Sequence, residues 1–192
     1  MEGSELIRMR RSIRKYRNEQ IPRDALEEII EAGLSAPNAG GRQGTLIVAV
    51  HDRALAEKIG RMNLGKFDRS RLLGSFVSKE QPSAIDDPTI RNGFYGAPTV
   101  CAVFAPKHFL FSIPDAFCTA ENMVLQAADL GIASCIVSRG EETFDSEEGA
   151  ALLREWKIPE SYIARCFVAL GYCDGPYPQP KARKEGRWLI IE

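Results

Sequence analysis

The chain has 192 residues, 44% hydrophobic and 27% charged, with a net charge of −1. That is enough chain for one domain with a core, or for a subunit sharing a core with its copy. A near-neutral balance offers no global field for nucleic acid or an anionic membrane, so any basic patch acts locally. No run approaches the length of a membrane span.

The first residues, Met1 to Glu5, are acidic and polar, unlike a secretory leader. Five cysteines (Cys101, Cys118, Cys135, Cys166 and Cys173) include no Cys-x-x-Cys pair, and most sit in apolar runs. That usage points to a reducing cytoplasm and away from disulfides or zinc. His51 and His108 are the two histidines, too few for an ordinary histidine metal site.

Residues 4–11 read as a short helix delivering the basic stretch Arg10-Arg11-Ser12-Ile13-Arg14. Arginine forks fit phosphate oxygens two at a time, and a serine hydroxyl adds a donor. A solvated basic helix end is the plainer reading of these five residues. Residues 23–34 read as an amphipathic helix with Leu26, Ile29, Ile30 and Leu34 on one stripe. The small-residue segment Ser35 to Gly44 holds three glycines, which would let backbone approach a ligand or simply connect elements.

Leu46 to Val50 reads as a buried strand and residues 54–62 as a short helix. Residues 63–95 mix glycine, serine, proline and charge with Leu72, Leu73, Phe76 and Val77, and read as a surface excursion with one helical piece. Thr99 to Ala105 reads as a strand. A long buried helix follows over 115–130, opened by Asp115 and ended by Gly131. A strand over 133–137 and a loop at Ser138-Arg139-Gly140 come next.

Asp145 is placed to cap a helix through Trp156, with Glu148 as its capping-box partner. Ile163 to Leu170 reads as a further strand. Residues 174–180 carry three prolines and read as an extended arm, followed by Lys181-Ala182-Arg183-Lys184. Trp188 to Ile191 is a β-prone apolar tetrad. It would pair with a partner's sheet edge or with a strand of its own chain.

Two basic clusters closing on one phosphate would make a mononucleotide or flavin-phosphate site. The pattern holds no P-loop and no Gly-x-Gly-x-x-Gly, so side chains would hold the phosphate. The 36–44 loop could then admit a flat ring.

At these residues the chain resembles the FMN-dependent nitroreductase family. That family opens with Arg-Arg/His-Ser-x-Arg/Lys, matched by Arg10 to Arg14. In its Ala-Pro-Ser-x-x-Asn-x-Gln-Pro-Trp loop, Ala36, Pro37 and Gln43 match while Asn38, Gly41, Gly44 and Thr45 depart. Leu130-Gly131, Ser134-Cys135, Leu170-Gly171-Tyr172, and Lys181 with Arg183 match later motifs in order.

The resemblance implies an α+β fold with a mixed, mainly antiparallel central sheet flanked by helices. It also implies a single domain over 1–192, a homodimer with FMN at the interface, and a C-terminal arm (174–192) exchanged between subunits. It assigns Arg10, Arg11, Ser12, Arg14, Lys181 and Arg183 to the ribityl phosphate and nearby oxygens. Ile136, Val137 and Ser138 would line the ring with backbone groups. Pro37, Asn38, Ala39, Gly41 and Gln43 would approach it from the other subunit. Gly41 stands where the family often has Asn, Ser138 where many members have Glu or Gly, and Arg139 where a glycine is usual.

The implied activity is hydride transfer from NADH or NADPH, through FMN, to a nitroaromatic, quinone or similar small electrophile. No side chain is assigned as a general acid or base. Cys135, flanked by apolar residues, reads as core packing before nucleophile. An enoate or dehalogenating reductase on the same scaffold, a flavin-binding storage or sensor protein, and a plain nucleotide-phosphate module are the other readings.

Overall fold

The computed structural model describes residues 2–68 and 77–192. Among these, four strands form one sheet in the order β1-β2-β4-β3: β1 (Leu46–Val50), β2 (Thr99–Pro106), β3 (Ala133–Val137) and β4 (Tyr162–Gly171). Every neighbouring pair is antiparallel. Among the described residues, the one parallel pairing is an isolated bridge from Ser12 to Ser134. The fold is thus α+β, as expected, with five helices around the sheet: α1 (Gly3–Met9), α2 (Arg23–Leu34), α3 (Arg53–Gly65), α4 (Ser112–Asp129) and α5 (Glu147–Glu155). No helix among the described residues is long and apolar enough to cross a membrane.

Both faces of the sheet are covered, so its central strands carry near-continuous apolar runs rather than a polar alternation. On β2, Val100, Ala102 and Phe104 face a core containing Phe94, Ile59 and Phe167. Cys101, Val103 and Ala105 face the opposite core, with Ile29, Met123 and Val168. A bulge between Val103 and Phe104 leaves Arg165 without an opposite number on β2. Bulges re-aim side chains. Here the guanidinium is turned to donate to Ser112 Oγ, the Lys107 carbonyl and the Glu141 carboxylate.

Helix α3 docks through a reciprocal glycine–asparagine fit. A Cβ on Gly60 would lie 2.1 Å from Asn92 Oδ1, and one on Gly93 would lie 2.1 Å from Asn63 Oδ1. The amide of Gly93 donates to the Gly60 carbonyl at 2.8 Å. This contact draws residues 92–97, including fully buried Phe94, into the core. The excursion read over 63–95 therefore ends as packed structure, because hydrophobic spacing does not register a docking made by glycine and asparagine. Leu72, Leu73 and Phe76 lie outside the described residues.

Three other boundaries shift for local reasons. Helix α4 begins at Ser112, since Pro114 sits in a first turn whose amide has no helical partner anyway. Asp115 is consequently inside the helix and does not cap it. The cap of α5 is Ser146, accepting from Gly149 at 3.1 Å, while Glu148 pairs with Lys58 at 2.6 Å and Asp145 stays outside. Trp188 to Ile191 pairs with no strand among the described residues of its own chain and is 68–81% exposed.

Candidate functional site: a basic clamp at the edge of the sheet

The basic stretch is extended because the end of β3 pins it. Ile13 donates to the Ser134 carbonyl at 2.9 Å, and four residues on Arg17 donates to the Tyr172 carbonyl at 2.9 Å. Ile13 and Tyr16 are buried, and the Tyr16 hydroxyl donates to the Ile13 carbonyl at 2.7 Å. Burial pushes the Tyr16 phenol well above its ordinary value, so it stays a neutral donor. With Ile13 turned inward, its neighbours Ser12 and Arg14 line a cavity on the outer side.

The second wall comes from the other end of the chain. After β4, Asp174 donates to the Lys15 carbonyl at 3.0 Å, and Gly175 takes a φ of 95° that turns the chain into the proline arm. Prolines keep such an arm extended and stiff. It brings the Tyr177 hydroxyl to 3.0 Å from the Arg11 amide, which donates to it.

Between these walls lies a cavity of about 590 Å³ lined by Arg10, Arg11, Ser12, Arg14, Lys181 and Arg183. All six residues expected on the phosphate thus line one space. Their counterweight is Glu80, whose carboxyl is held below its ordinary value by its own backbone amide, the Ser78 hydroxyl and nearby Lys181.

Arg11 is the telling member. Its Nη1 donates to the Arg8 carbonyl at 2.8 Å and to the Arg10 carbonyl at 2.5 Å. Its Nε and Nη2 are buried with no hydrogen-bond partner. Buried donors are nearly always satisfied. Two unsatisfied N–H groups on one guanidinium beside four further cations fit an anion with paired oxygens.

Arg14 lies 5.9 Å from the centre of the Tyr95 ring. Tyr95 holds a positive φ of 60°, uncommon for an aromatic residue and frequent at ligand clamps. Behind them Cys135 is 2% exposed, and burial raises its thiol despite nearby Arg14. It is a packed side chain.

A second cavity of about 300 Å³ opens past the far end of β3, lined by Ser138 and Arg139 together with Asn63, Lys66, Phe117 and Thr143. Asn63 Nδ2 donates to the Arg139 carbonyl at 2.5 Å and to Thr143 Oγ1 at 2.9 Å. The Arg139 guanidinium sits 3.9 Å over the Phe67 ring. Asn63 and Lys66 were not singled out from the sequence. Their signal is faint: a polar pair three apart, sharing a face at the end of α3. Ser78, Gln81 and Tyr177, in the first cavity, were also missed.

The remaining expected residues fall elsewhere. Ile136 and Val137 lie in β3 between the two cavities, with Val137 buried. The loop carrying Pro37, Asn38, Ala39, Gly41 and Gln43 lines neither cavity of its own chain. It is nonetheless tightly built. Asn38 Oδ1 accepts from the Gln43 amide at 2.8 Å, and Asp115 Oδ1 accepts from the Ala39 amide at 3.0 Å. Gly40 and Gly41 both take a φ of 64°.

An antiparallel sheet wrapped by helices, with a cavity of five cationic side chains at its edge, defines a class, and comparison with known proteins gives it a name. The sequence profile of the Nitroreductase family matches residues 7–172, and the chain belongs to that family. A nitroreductase from Bacteroides fragilis, solved with bound FMN, is 31% identical with a TM-score of 0.81 and full coverage of both chains. A second nitroreductase solved with FMN, from Desulfitobacterium hafniense, is 22% identical over 98% of this chain and 97% of its own, with a TM-score of 0.78. A protein of Archaeoglobus fulgidus, provisionally named NADH dehydrogenase/NAD(P)H nitroreductase, is 29% identical over 89% of this chain and 85% of its own.

Proposed function

We propose that the chain is an FMN-dependent oxidoreductase that passes hydride from NADH or NADPH to a small electrophilic acceptor such as a nitroaromatic or a quinone. The observation that carries this reading is Arg11, with two buried N–H groups lacking partners inside a cavity of five cations. A phosphate monoester supplies the acceptor oxygens and the negative charge that this cavity lacks. FMN, when bound, takes up and returns hydride at its ring, chemistry that belongs to the cofactor.

The chain's own residues bind and orient. Arg11, Ser12 and Arg14 would hold the phosphate from one side, and Lys181 and Arg183 from the other. Four residue steps of extended chain from Ser134 to Ser138 cover about 13 Å, room for a polyol between phosphate and ring. Lys66 and Arg139 line the second cavity, where they would offer positive charge to a flavin ring. The loop from Pro37 to Gln43 reaches a ring only across a dimer interface. The reading therefore includes a homodimer, in which residues 174–183 stay on their own chain and the exposed tail from Trp188 to Ile191 lies on the partner.

Purified protein should be yellow, and NADH or NADPH should bleach it without oxygen. Arg14→Ala combined with Arg183→Ala should strip the flavin while leaving the fold. A colourless protein that takes up no FMN would refute the reading. A yellow protein that neither nucleotide bleaches would mean binding without turnover.

A further inference from the structure

The two walls of the clamp are tied to each other by a third segment. On one side, Gln81 Oε1 accepts from the Arg14 backbone amide at 2.5 Å. On the other, the Val77 carbonyl accepts from Lys181 Nζ at 2.9 Å. Val77 and Gln81 are four residues apart and touch opposite walls. Gln81 is 3% exposed, so this contact is packed in place.

The segment is itself held in shape. One carboxylate, Asp86, accepts from the amides of Val77 at 2.7 Å and Ser83 at 2.8 Å, and from the Ser83 hydroxyl at 3.2 Å. Fixing both ends of a five-residue bridge fixes the separation of what it touches. That separation is what a bidentate charged contact is most sensitive to.

We propose that residues 77–86 set the gap of the phosphate clamp, with Gln81 a positioning residue that aims Arg14 and Asp86 the anchor that keeps Val77 on Lys181. The proposal rests on the flavin-binding reading above. It assigns no chemistry to either side chain and predicts that both act on the phosphate end of a ligand only.

The test compares FMN with riboflavin, which has the same ring and polyol but no phosphate. Full-length chain freed of flavin is titrated with each by fluorescence quenching, for wild type, Gln81→Leu, Asp86→Asn and the double variant. Thermal melts of the flavin-free proteins establish that each is folded.

In wild type FMN should bind far more tightly than riboflavin. Each single variant should lower that preference about tenfold, leave riboflavin unchanged, and combine to little more than the larger single effect, as for residues of one unit. A folded variant that weakens both ligands equally, or neither, overturns the proposal. If Gln81→Leu does not fold, Asp86→Asn decides alone. A wild type that binds neither flavin refutes the proposed function instead, which keeps the two failures distinct.

Discussion

Replacing Arg11 by Met should make the flavin-free protein more stable and its complex with FMN weaker. In wild type, Arg11 Nε and Nη2 are buried without partners. An unsatisfied buried donor costs about 1–3 kcal/mol. Methionine has similar length, fills the same space and brings no donor.

Two bonds from Nη1 are lost, to the carbonyls of Arg8 and Arg10. These lie at the outer end of α1, which has no buried residue, so water replaces the guanidinium there. A net gain of about 1–2 kcal/mol follows for the empty chain, which for its size is a rise in Tm of about 4 °C. For the complex the sign reverses. A paired charged contact is worth about 3 kcal/mol, so FMN should bind about a hundredfold more weakly while riboflavin is unchanged.

Urea unfolding of the flavin-free chain and fluorescence titration give the two numbers. A destabilised Arg11→Met protein would mean that the guanidinium serves α1 and no ligand. Unaltered FMN affinity would remove the phosphate from this cavity altogether.

Other expectations concern the scaffold. Gly60→Ala should cost about 2–3 kcal/mol in urea unfolding. Its new methyl meets Asn92 Oδ1 at 2.1 Å, and Asn92 is fixed by donating to Glu57 Oε2 at 2.6 Å and accepting from the Phe94 amide at 2.7 Å. An aromatic-disulfide thiol reagent should modify at most Cys118 and Cys173 in the native chain and all five cysteines in denaturant. Cys101, Cys135 and Cys166 are buried, with Cys101 and Cys166 pushed up to about 12 by that burial.

Burial alone would raise the Asp86 carboxyl, but hydrogen bonds from Ser83, Val77 and Ser78 outweigh it and hold the group below its ordinary value. A depressed folded pKa stabilises above the unfolded value, near pH 4, and the gain is lost as pH falls through the folded one. The Tm difference between wild type and Asp86→Asn should therefore be full at pH 6 and shrink below pH 4. A difference that grows with acid would contradict the assignment.

Much of this was legible beforehand, for reasons particular residues make plain. Strands β1 and β3 are bounded as expected because Leu46 to Val50 is an uninterrupted apolar run, and Ala133 to Val137 an apolar run broken only by Ser134, each between turn residues. Arg10 to Arg14 and Lys181 to Arg183 stood out by charge alone, and they line one cavity. What escaped was held by short polar contacts. Asn63, Asn92 and the two glycines they meet carry no hydrophobic period. Gln81 and Asp86 sit in a segment with no repeating pattern, where one side chain bonds several backbone amides. The cap of α5 moved by a single residue, since Asp145 and Ser146 are both good caps and only the chain's path chooses between them.

The hydrogen bond from Arg11 to Tyr177 joins residues 166 positions apart. During synthesis the first jaw leaves the ribosome near the beginning, and the second only after β4 has been made. The pairing of the four strands uses no residue of the proline arm. The core can therefore close while its mouth is still open, and docking of the arm is the last act of folding. Protease nicking of the arm in the mature protein should retrace that order. The bound molecule is released first, from a body that remains folded.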